Sequence, residues 1–102
     1  MSTLHTVNKS PYERNALKSC LDHVLAGDRV LLIEDGVVAA RKGGAFAQAL
    51  GDAGRQCAVY ALAPDLAARG IGPSDLMEGI ETVDYGGFVE LAASASRVCS
   101  WL

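Results

Sequence analysis

Residues 29–34, RVLLIE, and residues 57–62, CAVYAL, are two short apolar runs whose pattern decides the fold. Each run has the length of a strand, and neither alternates as a strand does when one of its faces meets water. A continuous apolar run of this length is typical of a strand buried on both faces, as in a parallel sheet. The two runs therefore predict a central parallel sheet with helices on both faces.

Further strands and helices alternate along the rest of the chain. Ser10 suits a helix N-cap, Pro11 the first helical position and Glu13 the acid of a capping box, so a helix is predicted from Pro11 to Ala26, ending at Gly27. Asp84 is the expected N-cap of a later helix. The remaining predicted segments are strands at 3–7, 80–84 and 97–102, short helices at 45–50, 64–69 and 85–94, and a helical turn at 37–42.

This alternation of strands and helices predicts the fold class. Parallel strands need crossover connections, which helices supply. The chain has 102 residues, the size of one domain. We therefore expect a single domain over residues 1–102: an α/β three-layer sandwich with a mainly parallel five-stranded sheet, flavodoxin-like or Rossmann-like in topology. Sites in such sheets lie beyond the carboxyl ends of the strands.

Charge and hydropathy exclude two classes of partner. The formal net charge is −3 and no run of Lys or Arg occurs, so direct nucleic-acid binding is not expected. No apolar run approaches the roughly 18 residues of a membrane span, so no membrane association is expected either. The opening MSTLHTVNK lacks a basic segment followed by an apolar one, and we expect a cytoplasmic protein.

Cofactor and metal motifs are missing. NKSPYE follows the first predicted strand where a dinucleotide-binding fold has GxGxxG. His5 and His23 have no ligand partner at metal-binding spacing, and His5, inside a strand, is expected to be a hydrogen-bonded structural residue. We therefore expect no metal and no organic cofactor.

The three cysteines, Cys20, Cys57 and Cys99, contain no CxxC pair and are expected to be free thiols. Cys57 and Cys99 fall in predicted strands and are interpreted as structural. Cys20 lies on the predicted first helix, about 50° from the centre of its apolar stripe. Two interpretations stay open: a packing residue, or a reactive thiol whose thiolate is stabilised by His23.

Five segments in order carry a family resemblance. They are LHTVNKSPYERNALKSCL (4–21), LLIEDGVVAA (31–40), VYALAPDLAARGI (59–71), VDYGGFVEL (83–91) and SWL (100–102). Together they resemble the DsrH/TusB family of sulfur-relay proteins, over nearly the whole chain. The form with a cysteine at position 20 looks like the DsrH branch, which serves intracellular sulfur oxidation, more than the TusB branch, which serves tRNA thiolation.

The resemblance implies a fold, partners and a role. It implies the DsrE/F/H-like sandwich and a heterohexamer containing two copies each of this chain, a DsrE/TusD-like subunit and a DsrF/TusC-like subunit. It also implies a DsrC/TusE-like sulfur acceptor. Cys20 would be a persulfide carrier in the sulfurtransferase complex rather than part of a stand-alone enzyme. The alternative is a non-catalytic assembly subunit, in that complex or in a TusBCD-type complex serving tRNA 2-thiouridine synthesis.

Overall fold

The computed structural model describes residues 2–102 as a three-layer α/β sandwich. The strands are β1 (Thr3–Val7), β2 (Arg29–Leu32), β3 (Ala58–Leu62), β4 (Ile80–Val83) and β5 (Arg97–Trp101). The helices are α1 (Ala16–His23), α2 (Ala47–Ala53), α3 (Ala63–Ala68) and α4 (Tyr85–Ser94), with 3₁₀ segments at Glu34–Ala40 and Pro73–Asp75. None of the helices described is long and apolar enough to cross a membrane.

The sheet confirms the predicted fold class. Its strand order is β4-β3-β2-β1-β5, and every neighbouring pair is parallel. Val30, Leu31 and Leu32 of β2 are all completely buried. Because successive side chains of a strand point to opposite faces, β2 is covered on both faces, as its apolar run predicts.

The two faces of the sheet are covered unequally. Leu17 of α1, Leu50 of α2 and Leu66 of α3 share one hydrophobic core with alternate residues of the strands. On the opposite face the Arg29 Nη1 donates a hydrogen bond to Ser94 Oγ of α4 (2.6 Å). Three helices therefore cover one face, and α4 alone covers the other.

The first helix is shorter than predicted, and its predicted start is wrong. The Ser10 carbonyl accepts hydrogen bonds from the N–H groups of Glu13 and Arg14, and Ser10 Oγ accepts one from Tyr12 N–H (3.2 Å). The capping signals of this segment thus form a separate turn, and α1 begins only at Ala16. At the other end, Leu25 N–H donates to the Asp28 carboxylate (3.0 Å), which ends α1 before Ala26.

The segment after β2 also departs from the expected strand. β2 ends at Leu32, and Glu34 takes a left-handed backbone conformation with φ 49°. The 3₁₀ segment that follows brings Gly36 against the end of β1, where a Cβ atom would overlap the Val7 carbonyl oxygen. The predicted Asp84 cap is confirmed, since its Oδ1 accepts a hydrogen bond from Gly87 N–H (2.8 Å).

Candidate functional site

The candidate site is a cluster of thiol, imidazole and carboxylate groups beneath α1. Cys20 lies in the last turn of α1 and its side chain has no exposed surface. Asp28 immediately precedes β2 and Cys57 immediately precedes β3, while Cys99 is the central residue of β5. The cluster therefore lies toward the amino ends of β2 and β3.

The surroundings of Cys20 keep its thiol protonated. Burial raises the pKa of Cys20 most, and the nearby Cys99, Cys57 and Asp28 add to the shift because negative charges repel a thiolate; together they take the pKa from 9.0 to about 12. Burial also raises the pKa of Cys57, whose Sγ donates a hydrogen bond to the Ala53 carbonyl (3.1 Å). Neither group is set up as a nucleophile in this arrangement.

A hydrogen-bonded chain of three side chains runs beside the thiols. Trp101 Nε1 donates to His5 Nδ1 (3.0 Å), and because indole is a donor only, that imidazole nitrogen carries no proton. The proton of His5 therefore lies on Nε2, which donates to Asp28 Oδ2 (2.9 Å). Both ring nitrogens of His5 are paired, as expected for a structural histidine.

Asp28 is a buried carboxylate held by three hydrogen-bond donors. Burial acts to raise its pKa, but the His5 hydrogen bond and those from the N–H groups of Leu25 and Thr3 outweigh burial, and the pKa of Asp28 lies below 3.8. Asp28 thus joins the start of β1, the end of α1 and the start of β2, and His5 extends that junction to Trp101 on β5. Asp28 and His5 therefore hold these strands and the end of α1 together through hydrogen bonds.

His23 does not form the predicted contact with the Cys20 thiol. Its Nδ1 donates to the carbonyl oxygen of Ser19 one turn earlier (2.7 Å), and its ring lies 5.4 Å from that of Trp101. Among residues 2–102 no hydrogen bond joins His23 to Cys20. The partnership of Trp101 with His5 was not foreseen, because the two residues are 96 positions apart and no local pattern links them.

The carboxyl ends of the strands lie away from the thiols. Ser10 and Lys9 follow β1, and Asp35, which follows β2, pairs with Arg69 through its Oδ1 (2.7 Å). The cluster around Cys20 is instead joined to the residues that precede β2 and β3. The structure therefore does not bring Cys20 together with the polar residues at the edge where sites of such sheets ordinarily form.

A wide apolar cleft lies at the β4 edge of the sheet. It has a volume of about 620 Å³ and lies between α3 and β4, lined by Leu66, Ile71, Leu76 and Ile80 among others. None of its lining residues is ionisable. In the part of the chain that the structure describes, no three His, Cys, Asp or Glu side chains gather as metal ligands.

Comparison with known proteins places the chain in a family. A family model described as "DsrH like protein" matches residues 9–98. Protein TusB of Photorhabdus laumondii is 34% identical over 99 residues, and Protein TusB of Enterobacter sp. (strain 638) is 38% identical over 98 residues; each match covers 96% of this chain and 99% of the relative.

Solved structures show the same fold at low sequence identity. The crystal structure of the ychN protein from E. coli superposes with a TM-score of 0.84 at 21% identity, covering 99% of this chain and 100% of that one. A protein of unknown function from Methanobacterium thermoautotrophicum gives a TM-score of 0.76 at 17% identity, covering 97% of each chain. From the family match and the TusB relatives, the chain belongs to the DsrH/TusB family and is a subunit of a sulfur-relay complex.

Proposed function

We propose that this chain is an assembly subunit of a cytoplasmic sulfur-relay complex and that Cys20 is one of its packing residues. The complex would contain a DsrE/TusD-like subunit and a DsrF/TusC-like subunit, two copies of each chain, and would deliver sulfur to a DsrC/TusE-like acceptor. The observation that carries the proposal is the complete burial of Cys20 at a site that suppresses its thiolate.

Sulfur relay needs an accessible thiolate. The thiolate attacks the outer sulfur of a persulfide, the S–S bond breaks, the donor leaves as a thiolate and the attacking cysteine becomes the persulfide. Cys20 meets neither requirement in the folded chain, because it has no exposed surface and its pKa is raised to about 12. A partner subunit would therefore supply the working thiol, and this chain would hold that partner in place.

Persulfide carriage by Cys20 is the second candidate, and one structural feature favours it. Cys20 lies three residues before the end of α1, and Trp101, which packs against the same core, is only partly buried. Terminal turns of helices open at lower free energy than core elements. Opening of this turn in the complex would expose Cys20 to a donor.

The oxidative branch is the proposed pathway, with tRNA thiolation as its alternative. The match to the model described as DsrH like protein and the cysteine at position 20 support sulfur oxidation. The name TusB of the curated relatives supports the tRNA branch. Deleting the gene in its host and measuring both sulfur oxidation and the 2-thiouridine content of tRNA separates the two.

The decisive experiment loads the whole complex with a low-molecular-weight persulfide and follows sulfur by intact mass. The wild-type complex is compared with Cys20→Ala, and Cys57→Ala is the matched control because it removes another buried sulfur from the same core. We expect the partner subunit to gain sulfur and to pass it to the acceptor at the same rate in all three complexes. A reducible gain of one sulfur (about 32 Da) on this chain, lost only in Cys20→Ala, would instead establish Cys20 as a carrier.

A further inference from the structure

A second cleft lies among the segments that follow the carboxyl ends of β1 and β2. Tyr12 lines it from the turn after β1, and the segment after β2 contributes Val38, Arg41, Lys42, Gly43 and Gly44. The volume of this cleft is about 370 Å³, and it shares no lining residue with the apolar cleft beside β4. Connections at the carboxyl ends of parallel strands are where sheets of this kind ordinarily bind ligands.

Two cations line the cleft without an acidic partner. Arg41 and Lys42 are exposed, and neither forms an ion pair with any of residues 2–102. The acids of the neighbouring segments, Glu13 and Asp75, are not among the lining residues, and the Asp75 carboxylate accepts a hydrogen bond from Gly72 N–H (3.2 Å). On a chain of net charge −3, the cleft is therefore a local region of positive potential.

The glycine turn supplies two further donors. Lys42 N–H donates to the Asp75 carbonyl (2.8 Å), but the next two N–H groups, of Gly43 and Gly44, have no hydrogen-bond partner within the described part of the chain. Gly43 has φ 76°, a left-handed conformation that glycine adopts without steric cost. Successive unpaired N–H groups in such a turn form a concavity that suits an anion.

The Tyr12 hydroxyl lies directly beside this turn. It is 3.3 Å from the position that a Cβ atom on Gly44 would occupy. Its oxygen accepts a long hydrogen bond from Ala45 N–H (3.4 Å), which leaves its own proton free to donate. The Tyr12 ring packs edge to face on Phe46, with centroids 5.6 Å apart, and this contact holds the hydroxyl at the cleft.

A set of donors without a carboxylate selects the kind of ligand. The cleft presents a guanidinium, an ammonium, a hydroxyl and two backbone N–H groups. A cationic or apolar ligand would leave these donors unpaired, whereas a compact oxyanion offers several acceptor oxygens, and guanidinium pairs with such an anion in a bidentate way. The volume of the cleft accommodates a tetrahedral oxyanion together with a small organic group attached to it.

We propose that this cleft binds a doubly charged tetrahedral oxyanion of the phosphate type, either free or as the terminal phosphate of a small molecule. Arg41 and Lys42 neutralise its charge, and its oxygens accept hydrogen bonds from Tyr12 O–H and from the N–H groups of Gly43 and Gly44. The site is separate from the thiols beneath α1, so the inference goes beyond the proposed assembly function and does not depend on it.

The test is an NMR titration of the full ¹⁵N-labelled chain with inorganic phosphate at pH 8, with ionic strength held constant by sodium chloride. We expect saturable shifts of the Gly43 and Gly44 amide signals with a dissociation constant of about 1 mM or lower. Tyr12→Phe keeps the ring against Phe46 and removes only the hydroxyl, so it should weaken binding about tenfold. The dispersion of the remaining amide signals shows whether each variant is folded.

A charge-matched pair of variants separates a site from general attraction. Arg41→Gln/Lys42→Gln should weaken phosphate binding about a hundredfold or more. Arg55→Gln/Arg97→Gln removes the same charge from two exposed cations outside the cleft, neither of them in an ion pair with residues 2–102, and should bind within about twofold of wild type. A titration with adenosine monophosphate then distinguishes the two sources: equal affinity supports the free oxyanion, and tighter binding with added shifts at Tyr12 and Phe46 supports a phosphate carried by a small molecule.

Two results would overturn the proposal. Glycine amide shifts that rise linearly with phosphate and never saturate would show that the cleft is not a binding site. An equal loss of affinity in the two double variants would show that phosphate responds only to overall charge. Both results would leave the assembly function standing, because that function is tested by sulfur transfer in the complex.

Discussion

Alkylation of Cys20 measures directly how far the fold suppresses its thiolate. With the pKa of Cys20 raised from 9.0 to about 12, the thiolate fraction at pH 8 falls from about one-tenth to about one ten-thousandth. Iodoacetamide reacts with the thiolate, so the expected rate falls about a thousandfold relative to the unfolded chain. The absence of exposed surface at Cys20 slows the reaction further.

The assay is a time course at pH 8 with the folded chain, quenched and digested, in which the Cys20 peptide is followed by mass. The same chain in denaturant gives the reference rate, and the partly exposed Cys99 serves as an internal comparison. Below pH 12 the folded-state rate should rise about tenfold per pH unit, continuing past pH 9 where the reference rate levels off. Alkylation of folded Cys20 within about tenfold of the reference at pH 8 would refute the packing assignment.

Three further predictions concern stability. Asp28→Asn should lower the free energy of unfolding by about 1.5–3 kcal/mol at pH 7, measured by urea denaturation. Because folding lowers the pKa of Asp28 below 3.8, its contribution is present above that pH and is lost as pH falls through the folded-state pKa, so the variant and wild type should converge in acid. Gly36→Ala should cost about 1–3 kcal/mol because its Cβ would overlap the Val7 carbonyl oxygen. Gly51→Ala, in α2 with open space around it, should stabilise by up to about 1 kcal/mol.

These stability predictions have clear contrary results. A gap between Asp28→Asn and wild type that stays constant from pH 7 to pH 3 would show that the Asp28 charge contributes nothing. Equal melting temperatures for Gly36→Ala and Gly51→Ala would show that the approach of Gly36 to β1 is not tightly packed.

Elements with a strong local signal were predicted well. The apolar run of β2 correctly predicted burial on both faces, and Asp84 correctly predicted the start of α4. In each case the pattern that decides the structure lies within a few residues. The start of α1 was mispredicted for the same reason. The Ser10 and Glu13 signals are compatible with a helix and with a turn, and local sequence does not distinguish them.

The environment of Cys20, in contrast, was not predictable from local sequence. Helical periodicity placed Cys20 on the flank of its stripe, yet that side chain is completely buried where α1 packs against β1 and β5. Its raised pKa follows first from this burial and then from Cys99, Cys57 and Asp28, which come from separate segments of the chain. No window of sequence contains that environment.

The sequence by itself therefore determined the alternation of strands and helices and the parallel sheet, because local apolar patterns indicate both. It also determined the family, because five characteristic segments occur in the family's order. Only the tertiary structure decided the burial of Cys20, the Trp101–His5–Asp28 hydrogen-bonded chain and the exposed apolar side chains beside α4. Burial, hydrogen bonding across 96 positions and the uncovered half of a sheet face are properties of elements packed together, since each depends on which distant residues become neighbours.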